Sequence, residues 1–269
     1  MVMTRKLADH LEMAEIKMFA SRLRAIEGLQ HNAIGVEIGQ FDGAYAFSIK
    51  SIPGPSYNVV KGDSLQSEHL VETILAFYKE KGIPARFDVA PQYMNASSLQ
   101  KLHHAGFFQS DFHTTLYSAL SSEYVGELKN SIIEIRTIQE DEFDFYGKLY
   151  VEGFNMPRFL ADSVAANNKV LYDKPGWSFY IASLNNEDVG IGSMFVHNST
   201  AILAASAVQH SARNKGIHQA LIQYRVKEAV KQNCKHVVGH AKFASTSQKN
   251  MERCGMTIAY TKSIWTEVN

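Results

Sequence analysis

Apolar residues along this chain recur at two spacings, and the switches between them divide the sequence into elements. The opening stretch "MVMTRKLADHLEMAEIKMFASRLRAI" mixes charged and apolar residues at helical spacing, which predicts an amphipathic first helix. From Ala33 the period shortens. "AIGVEIGQ", "AYAFSIK" and "SYNVVKG" read as strands set apart by Gly and Pro turns. "SEHLVETILAFYKEKG" returns to a helical stripe through Leu70, Ile74, Leu75 and Tyr78 and stops at Gly82. A strand "RFDVAP", a short helix "NASSLQKLHHAG" and a strand "FHTTLYSAL" follow. The polar run from Ser121 to Ser131 then breaks the pattern. Beyond it come a strand "IIEIRTI", helical text through Leu171, and the strands "WSFYIASL", "VGIGSMFVH" and "AILAASAV". A helix within "ARNKGIHQALIQYRVKEAV", the strand "KHVVGHAK", the helix "STSQKNMERCG" and the strand "TIAYTKSIWTEV" complete the chain. The expectation is a mixed-sheet α/β protein with one domain over 1–120, a linker at 121–130 and a second domain over 131–269.

The two halves echo one another. With Gly106 aligned to Gly255, "RFDV" falls on "KHVV" and Ser98 on Ser247, and Gly82 and Ile83 fall on Asn233 and Cys234 once Pro84 and Ala85 count as an insertion. Helix, strand, helix, glycine and strand occur twice in that order, as a duplicated unit would show. Composition agrees with folded domains. The chain has 269 residues, 45% of them hydrophobic, with 17 Gly and 6 Pro, enough for two domains of about 130 residues each. Lys plus Arg and Asp plus Glu both number 27, so the basic excess of a nucleic-acid binder is missing. No apolar run reaches the roughly 18 residues of a membrane span. Cys234 and Cys254 are the only cysteines, which gives no disulfide framework and makes a reducing cytoplasm the expected location.

The segment from Arg213 to His218 carries candidate chemistry. Two cations and a glycine stand directly before a helix whose first turn leaves about four backbone N–H groups unpaired and carries about half a positive charge. A glycine turn lets those groups face a phosphate with no side chain between, and Arg213 and Lys215 add charge there. The preceding strand has small side chains on both faces, so a ligand could approach its backbone closely. A plain basic turn is the competing reading. The spacing is neither that of a P-loop nor that of a dinucleotide fingerprint.

At this point the sequence resembles the GNAT superfamily of N-acyltransferases. The strand followed by "QHSARNKGIH" and a helix is similar to the family's acyl-CoA signature, Arg/Gln-x-x-Gly-x-Gly/Ala. Arg213 and Gly216 match it, while His218 stands where the second small residue usually is. "ASTSQKNMERCGM" resembles the family's later helix with its usual ending Tyr-Glu-Lys-Leu-Gly-Phe, which Glu252, Arg253 and Gly255 fit. The match covers roughly Ile133 to Val268. The first half resembles the same fold weakly and lacks the Arg-x-x-Gly loop, so the pairing looks like a tandem GNAT with a degenerate first copy.

The resemblance implies acetyl-CoA as co-substrate, with its pantetheine arm along the backbone of Ala207 and Val208. Its pyrophosphate would then rest on the N–H groups of Arg213, Asn214, Lys215, Gly216, Ile217 and His218. The His218 ring either covers a phosphate or is solvated. Ser247, Gln248 and Asn250 either border the thiol end of the cofactor or serve a helix cap built on Ser245 or Ser247.

Acyl transfer to an amine needs a deprotonated amine, a polarised carbonyl and a protonated leaving thiolate. Met251 occupies the position of the family's usual acid, a Tyr, and cannot donate a proton. His240 is the candidate base, with His210 beside the loop as another, and Gln248 is the candidate for orienting a proton-donating water. Each of these has a bland structural reading beside it. His236 and His240 stand about 13 Å apart on a strand, too far to share zinc, so no metal is expected. Cys254 reads as a small core residue.

The resemblance therefore implies an N-acetyltransferase acting on the amine of a small molecule or peptide. A non-catalytic acyl-CoA-binding sensor is the alternative. No nucleic acid and no membrane are expected as partners, and the chain is expected to be a monomer or homodimer.

Overall fold

The computed structural model describes residues 2–52, 54, 57–121 and 132–268. Beyond Ser121, the expected linker lies outside the described residues. The chain forms two compact units. The first holds residues 1–115, 241–243 and 258–269, and the second holds 116–240 and 244–257.

The first unit opens on α1 (Arg5–Glu27), capped by the Thr4 side chain, which accepts from the Leu7 N–H at 3.2 Å. The three strands expected next are β1 (Val36–Phe41), β2 (Ala44–Ile49) and β3 (Val59–Gly62), joined antiparallel. Then come α2 (Glu68–Lys79), β4 (Arg86–Val89), α3 (Ala96–His104) and β5 (Phe107–Ala119). β3 and β4 run parallel, as the helix between them requires. Leu70, Val71, Ile74 and Tyr78 of α2 pack with Phe87 and Phe107 over this sheet.

The second unit contains β6 (Ile133–Thr137), α4 (Phe143–Gly153), α5 (Ala161–Lys169), β7 (Trp177–Leu184), β8 (Glu187–His197), β9 (Thr200–Val208), α6 (Ile217–Lys231), β10 (His236–Lys242) and α7 (Thr246–Arg253). β6 to β9 form an antiparallel meander, and β10 joins β9 in parallel across α6. Phe143 and Tyr146 of α4 meet Phe179 of β7 edge-on, with ring centroids 5.2 and 5.5 Å apart.

The echo between the halves is visible in the backbone. Gly82 and Asn233 both close helices with positive φ (64° and 57°), and Gly106 and Gly255 repeat the device at 84° and 85°. These are the left-handed stops that glycine and asparagine supply. The last strand, β11 (Thr257–Glu267), departs from the expected division. It pairs antiparallel with β4, Trp265 opposite Phe87, and from Ile258 onward belongs to the first unit. Likewise β5 passes into the second unit at Leu116. A boundary placed by polarity alone cannot register such crossings, because strand partners are chosen by pairing and not by chain order.

α1 also departs from simple amphipathy, since Glu12 and Glu15 lie on its buried face. They meet a set of interior charges. The Lys262 ammonium on β11 lies 2.6 Å from Glu12 Oε2 and also contacts Glu15 Oε2. Lys61 of β3 bridges Glu15 at 3.1 Å and Asp88 at 3.2 Å, and Arg86 reaches Asp88 at 2.7 Å. Tyr260 donates its hydroxyl to Glu12 Oε2 at 3.0 Å. Burial works against the Lys262 charge, but Glu12 and Glu15 outweigh it and hold its pKa well above the ordinary value. Burial would likewise raise the Asp88 carboxyl, yet Lys61, Arg86 and Lys262 keep it below the usual carboxylate range.

Removing one partner from such a cluster strands the others, which typically costs about 3–5 kcal/mol. Lys262→Met is therefore expected to lower the unfolding free energy of the first unit, read from urea titration, by an amount of that order. Lys242→Ala, which removes an exposed pair with Asp111, is expected to change stability by less than about 1 kcal/mol. Equal effects from the two variants would show that the interior cluster contributes no more than a surface pair.

Candidate functional site

The turn that precedes α6 is built on positive-φ residues. Asn214 has φ 62° and Gly216 φ 86°, and Gly216 is the residue that caps α6. A Cβ at Gly216 would meet only Ile133 Cδ1 at 3.9 Å, so the demand for glycine comes from the left-handed backbone and not from crowding. Among the described residues no side chain caps this helix. The first intrahelical donor is the Ala220 N–H, to the Gly216 carbonyl at 3.0 Å. The N–H groups of Ile217, His218 and Gln219 therefore point out of the helix start with its positive end behind them.

They point into a cavity of about 530 Å³. One wall is β9 at Ser206, Ala207 and Val208. This wall exists because β9 pairs with β10 only from Thr200 to Leu203, opposite His236 to Gly239, and continues to Val208 with β8 alone as neighbour. The main-chain groups of Ala205 and Gln209 turn to β8: the Ala205 N–H reaches Ser193 Oγ at 3.1 Å and the Gln209 N–H reaches the Val189 carbonyl at 2.8 Å. By the alternation of a strand, those of Ser206 and Val208 face the cavity. α7 supplies a second wall with Thr246, Ser247, Asn250 and Arg253, and the end of α4 supplies Gly153 and Phe154. α4 closes tightly on β9, since a Cβ at Gly153 would lie 2.4 Å from Ala207 Cβ.

Asn250 ties the walls together. Its Oδ1 accepts from Gln219 Nε2 and from Arg253 Nη1, both at 3.2 Å, which turns its amide nitrogen to His218 Nδ1 at 3.0 Å. In that arrangement Nδ1 accepts and Nε2 carries the imidazole proton. Burial, with the Arg225 charge adding to it, pulls the His218 pKa down to about 4. The ring is therefore neutral at physiological pH.

Of the ten residues expected at a cofactor site, nine line this one cavity: Ala207, Val208, Arg213, Asn214, Gly216, Ile217, His218, Ser247 and Asn250. Lys215 is exposed and is not in the lining. Arg213 does more than add the charge expected there. Its Nη2 donates to the Gly153 carbonyl at 3.1 Å and its Nε to the Val208 carbonyl at 3.4 Å, so it fastens the end of α4 to the end of β9.

Gln248 stands outside the lining. It is buried, and its Oε1 accepts from the Ala244 N–H at 2.9 Å while Ser245 caps the helix. That carbonyl oxygen closes the turn into α7 and does not face the cavity. His240 stands on β10 directly after Gly239, outside the lining, and His210 sits in the short turn before Arg213. Burial raises the Cys254 thiol to about 11, consistent with a core residue. Gly153, Phe154, Ser206, Ala212, Gln219, Thr246 and Arg253 complete the lining and were not foreseen. Only the fold brings the end of α4 here, although a glycine at a helix end is a signal of close approach.

Residues 135–256 match the model of the acetyltransferase (GNAT) family, a span that contains every wall of the cavity. No curated protein sequence matches the chain. Among solved structures, a functionally unknown conserved protein from Staphylococcus epidermidis ATCC 12228 is similar with TM-score 0.65 at 15% identity, over 91% of this chain and 99% of that one. A GCN5-related N-acetyltransferase from Kribbella flavida gives TM-score 0.65 at 10% identity, over 93% and 96%. A tandem GNAT protein from the clavulanic acid biosynthesis pathway gives 0.60 at 11% identity, over 86% and 77%. At these identities the likeness is one of fold, and the chain has the GNAT acetyltransferase fold.

The depressed His218 pKa has a signed consequence. A histidine whose folded pKa lies below its unfolded value contributes stability that is present above about 6.5 and is lost as the pH falls toward the folded value. Between pH 6.5 and pH 4 the melting temperature is expected to fall, and His218→Asn is expected to flatten that part of the profile. Parallel profiles for the two proteins would show that the ring protonates freely in the fold.

Proposed function

We propose, from the GNAT acetyltransferase fold of this chain, that it is an N-acetyltransferase moving acetyl from acetyl-CoA to a primary amine of a small molecule or peptide by direct transfer. The observation that carries the reading is the uncapped start of α6 facing a cavity whose opposite wall is the parted edge of β9. Donors at a helix start suit a pyrophosphate, and free strand donors and acceptors suit the amide-bearing arm that follows it. The donor set thus fits the group.

When bound, acetyl-CoA supplies the activated acetyl thioester. The N–H groups of Ile217, His218 and Gln219 would hold its pyrophosphate, and Ser206 and Val208 would face its arm. Neutral His218 adds an Nε2–H donor at the same spot without a second titration near pH 7. For the amine proton the reading keeps His240, which directly follows the last β10 residue paired to β9 and so stands where the strands part. Met251 is buried and carries no proton to give, so the proton for a departing thiolate would come from another group or from water.

One observation favours a second reading, a non-catalytic acyl-CoA-binding protein: among the described residues the cavity lining holds no carboxylate and no tyrosine. Release of free CoA from acetyl-CoA across a panel of amines separates the two. The enzyme is expected to release CoA with at least one amine, and binding without release for every class of amine would favour the sensor.

Calorimetry tests the cofactor site itself. The helix that follows β3 in the first unit starts differently, because the Ser67 side chain caps α2 by accepting from the Leu70 N–H at 3.1 Å. One acetyl-CoA per chain is therefore expected. Gly216→Asp places a carboxylate and a strained φ at the α6 start and is expected to weaken binding by about 100-fold or more, the scale of one or two lost charge-assisted contacts. A stoichiometry of two would show that the first unit also binds the ligand, and unchanged affinity in the variant would remove the α6 turn from the reading.

A further inference from the structure

Among the described residues Arg225 is the largest fully buried side chain, at 1% exposure. It lies on α6, two turns below the cofactor-facing start of that helix. Among the described residues no carboxylate pairs with it. Its guanidinium donates instead to three main-chain carbonyls, with Nε to Leu221 at 2.9 Å and Nη1 to Ser193 at 2.9 Å and Ala205 at 3.1 Å. Burial draws its pKa down to about 10, which leaves it charged at neutral pH.

The position of those carbonyls is informative. The register of β8 against β9 shifts between Gly192 and Met194, where Ser206 pairs with Gly192 and Leu203 with Met194. Two residues of β9, Ala204 and Ala205, therefore oppose the single residue Ser193, which is a bulge. Ser193 Oγ accepts from the Ala205 N–H, and Arg225 Nη1 links the Ser193 and Ala205 carbonyls. Gly192 leaves the space, since a Cβ there would lie 3.3 Å from Arg225 Nε. The bulge falls directly after Leu203, the last β9 residue paired to β10. A buried cation without an anion is costly unless its donors are satisfied, and here all three contacts tie α6 to itself and to the two strands at the place where β9 changes partners.

We propose that Arg225 is a positioning residue that holds the bulge between β8 and β9 and thereby aims the main chain of Ser206 and Val208 into the cavity for the pantetheine arm. The ligand half of this statement rests on the acetyl-CoA reading above. The structural half does not.

The experiment has two arms, each run on wild type, Arg225→Met and Arg225→Lys. The first is amide hydrogen exchange without ligand. Exchange at Ala205 and Ala207 is expected to accelerate by about 10-fold or more in Arg225→Met, while amides of β6 and β7 change by less than about twofold. The second compares binding of acetyl-CoA with that of 3′-phosphoadenosine 5′-diphosphate, which has the phosphates and lacks the arm. Acetyl-CoA is expected to weaken by about 10-fold or more and the nucleotide by less than about twofold. Arg225→Lys keeps the charge but ends in a single nitrogen that cannot serve the Leu221 carbonyl and the two strand carbonyls together, so it is expected to show the same pattern at smaller amplitude, and it serves if Arg225→Met does not fold.

Uniform acceleration of exchange across the second unit would overturn the proposal, as would equal weakening of both ligands or a lysine variant that matches wild type in both arms. If the wild-type chain binds neither ligand, the acetyl-CoA reading falls. The exchange arm then decides alone whether Arg225 holds the bulge.

Discussion

Strand β9 keeps β10 as a hydrogen-bonded neighbour through Leu203 and then loses it, and every feature of the candidate site follows from that parting. A strand with neighbours on both sides has no backbone groups to spare. A strand released on one side must satisfy them with a ligand, with water or with side chains. Here Arg213 takes the Val208 carbonyl and, through the Gly153 carbonyl, brings the end of α4 against the released edge. The small residues of β9 and the absent side chain of Gly153 keep that wall thin. The start of α6 then faces the wall, and the same helix carries Arg225 back to the bulge where the parting begins.

The two halves show why a repeated fold need not carry a repeated site. Both have a strand, a helix, a parallel strand and a second helix in the same order. In the first unit the donors at the α2 start are met by Ser67, and the residue after β3 is Asp63. Burial raises the Asp63 carboxyl, with Arg5 opposing and Asp9 adding to the shift. A carboxylate and a capped helix do not invite a phosphate. The strong electrostatics of that unit lie in its interior instead, where Glu12, Glu15, Asp88, Lys61, Arg86 and Lys262 form ion pairs. Such a cluster rewards only one packing of α1, β3, β4 and β11, because any misplacement leaves a charge buried and alone.

Spacing made the local elements legible. The strands β7 to β10 and the helices α2, α3, α6 and α7 lie where the periods of apolar residues put them, and a turn at Arg213–Gly216 was readable from its polar residues and its glycine, although not what the turn serves. Partnership between distant segments was not legible. Nothing local says that β11 lies beside β4, that Glu12 and Glu15 face inward, or that Gly153 and Phe154 reach the cavity from a helix about sixty residues upstream, because each depends on which strands pair. Gln248 shows the same limit at short range. A polar residue in the first turn of α7 suits capping as well as catalysis, and only the 2.9 Å contact with the Ala244 N–H tells them apart.

Met251 completes the account of α7. Its position is the one at which the resemblance expects a proton-donating tyrosine, and the sequence alone makes the exchange look like a lost catalytic group. The packing gives it a partner. A Cβ at Gly239 would lie 2.8 Å from Met251 Sδ and 2.9 Å from its terminal methyl, so the thioether lies flat on the glycine of β10, with Met251 only 4% exposed. Gly239 is also the last β10 residue paired to β9. The methionine therefore fills the hollow beneath the point of parting, where an unbranched, pliable side chain suits an irregular gap. A tyrosine confined to the same hollow would overpack it, at a cost of about 1–3 kcal/mol, and would have to leave it to reach the cavity. The residue at 251 and the glycine at 239 form one packing unit beneath the split between the strands.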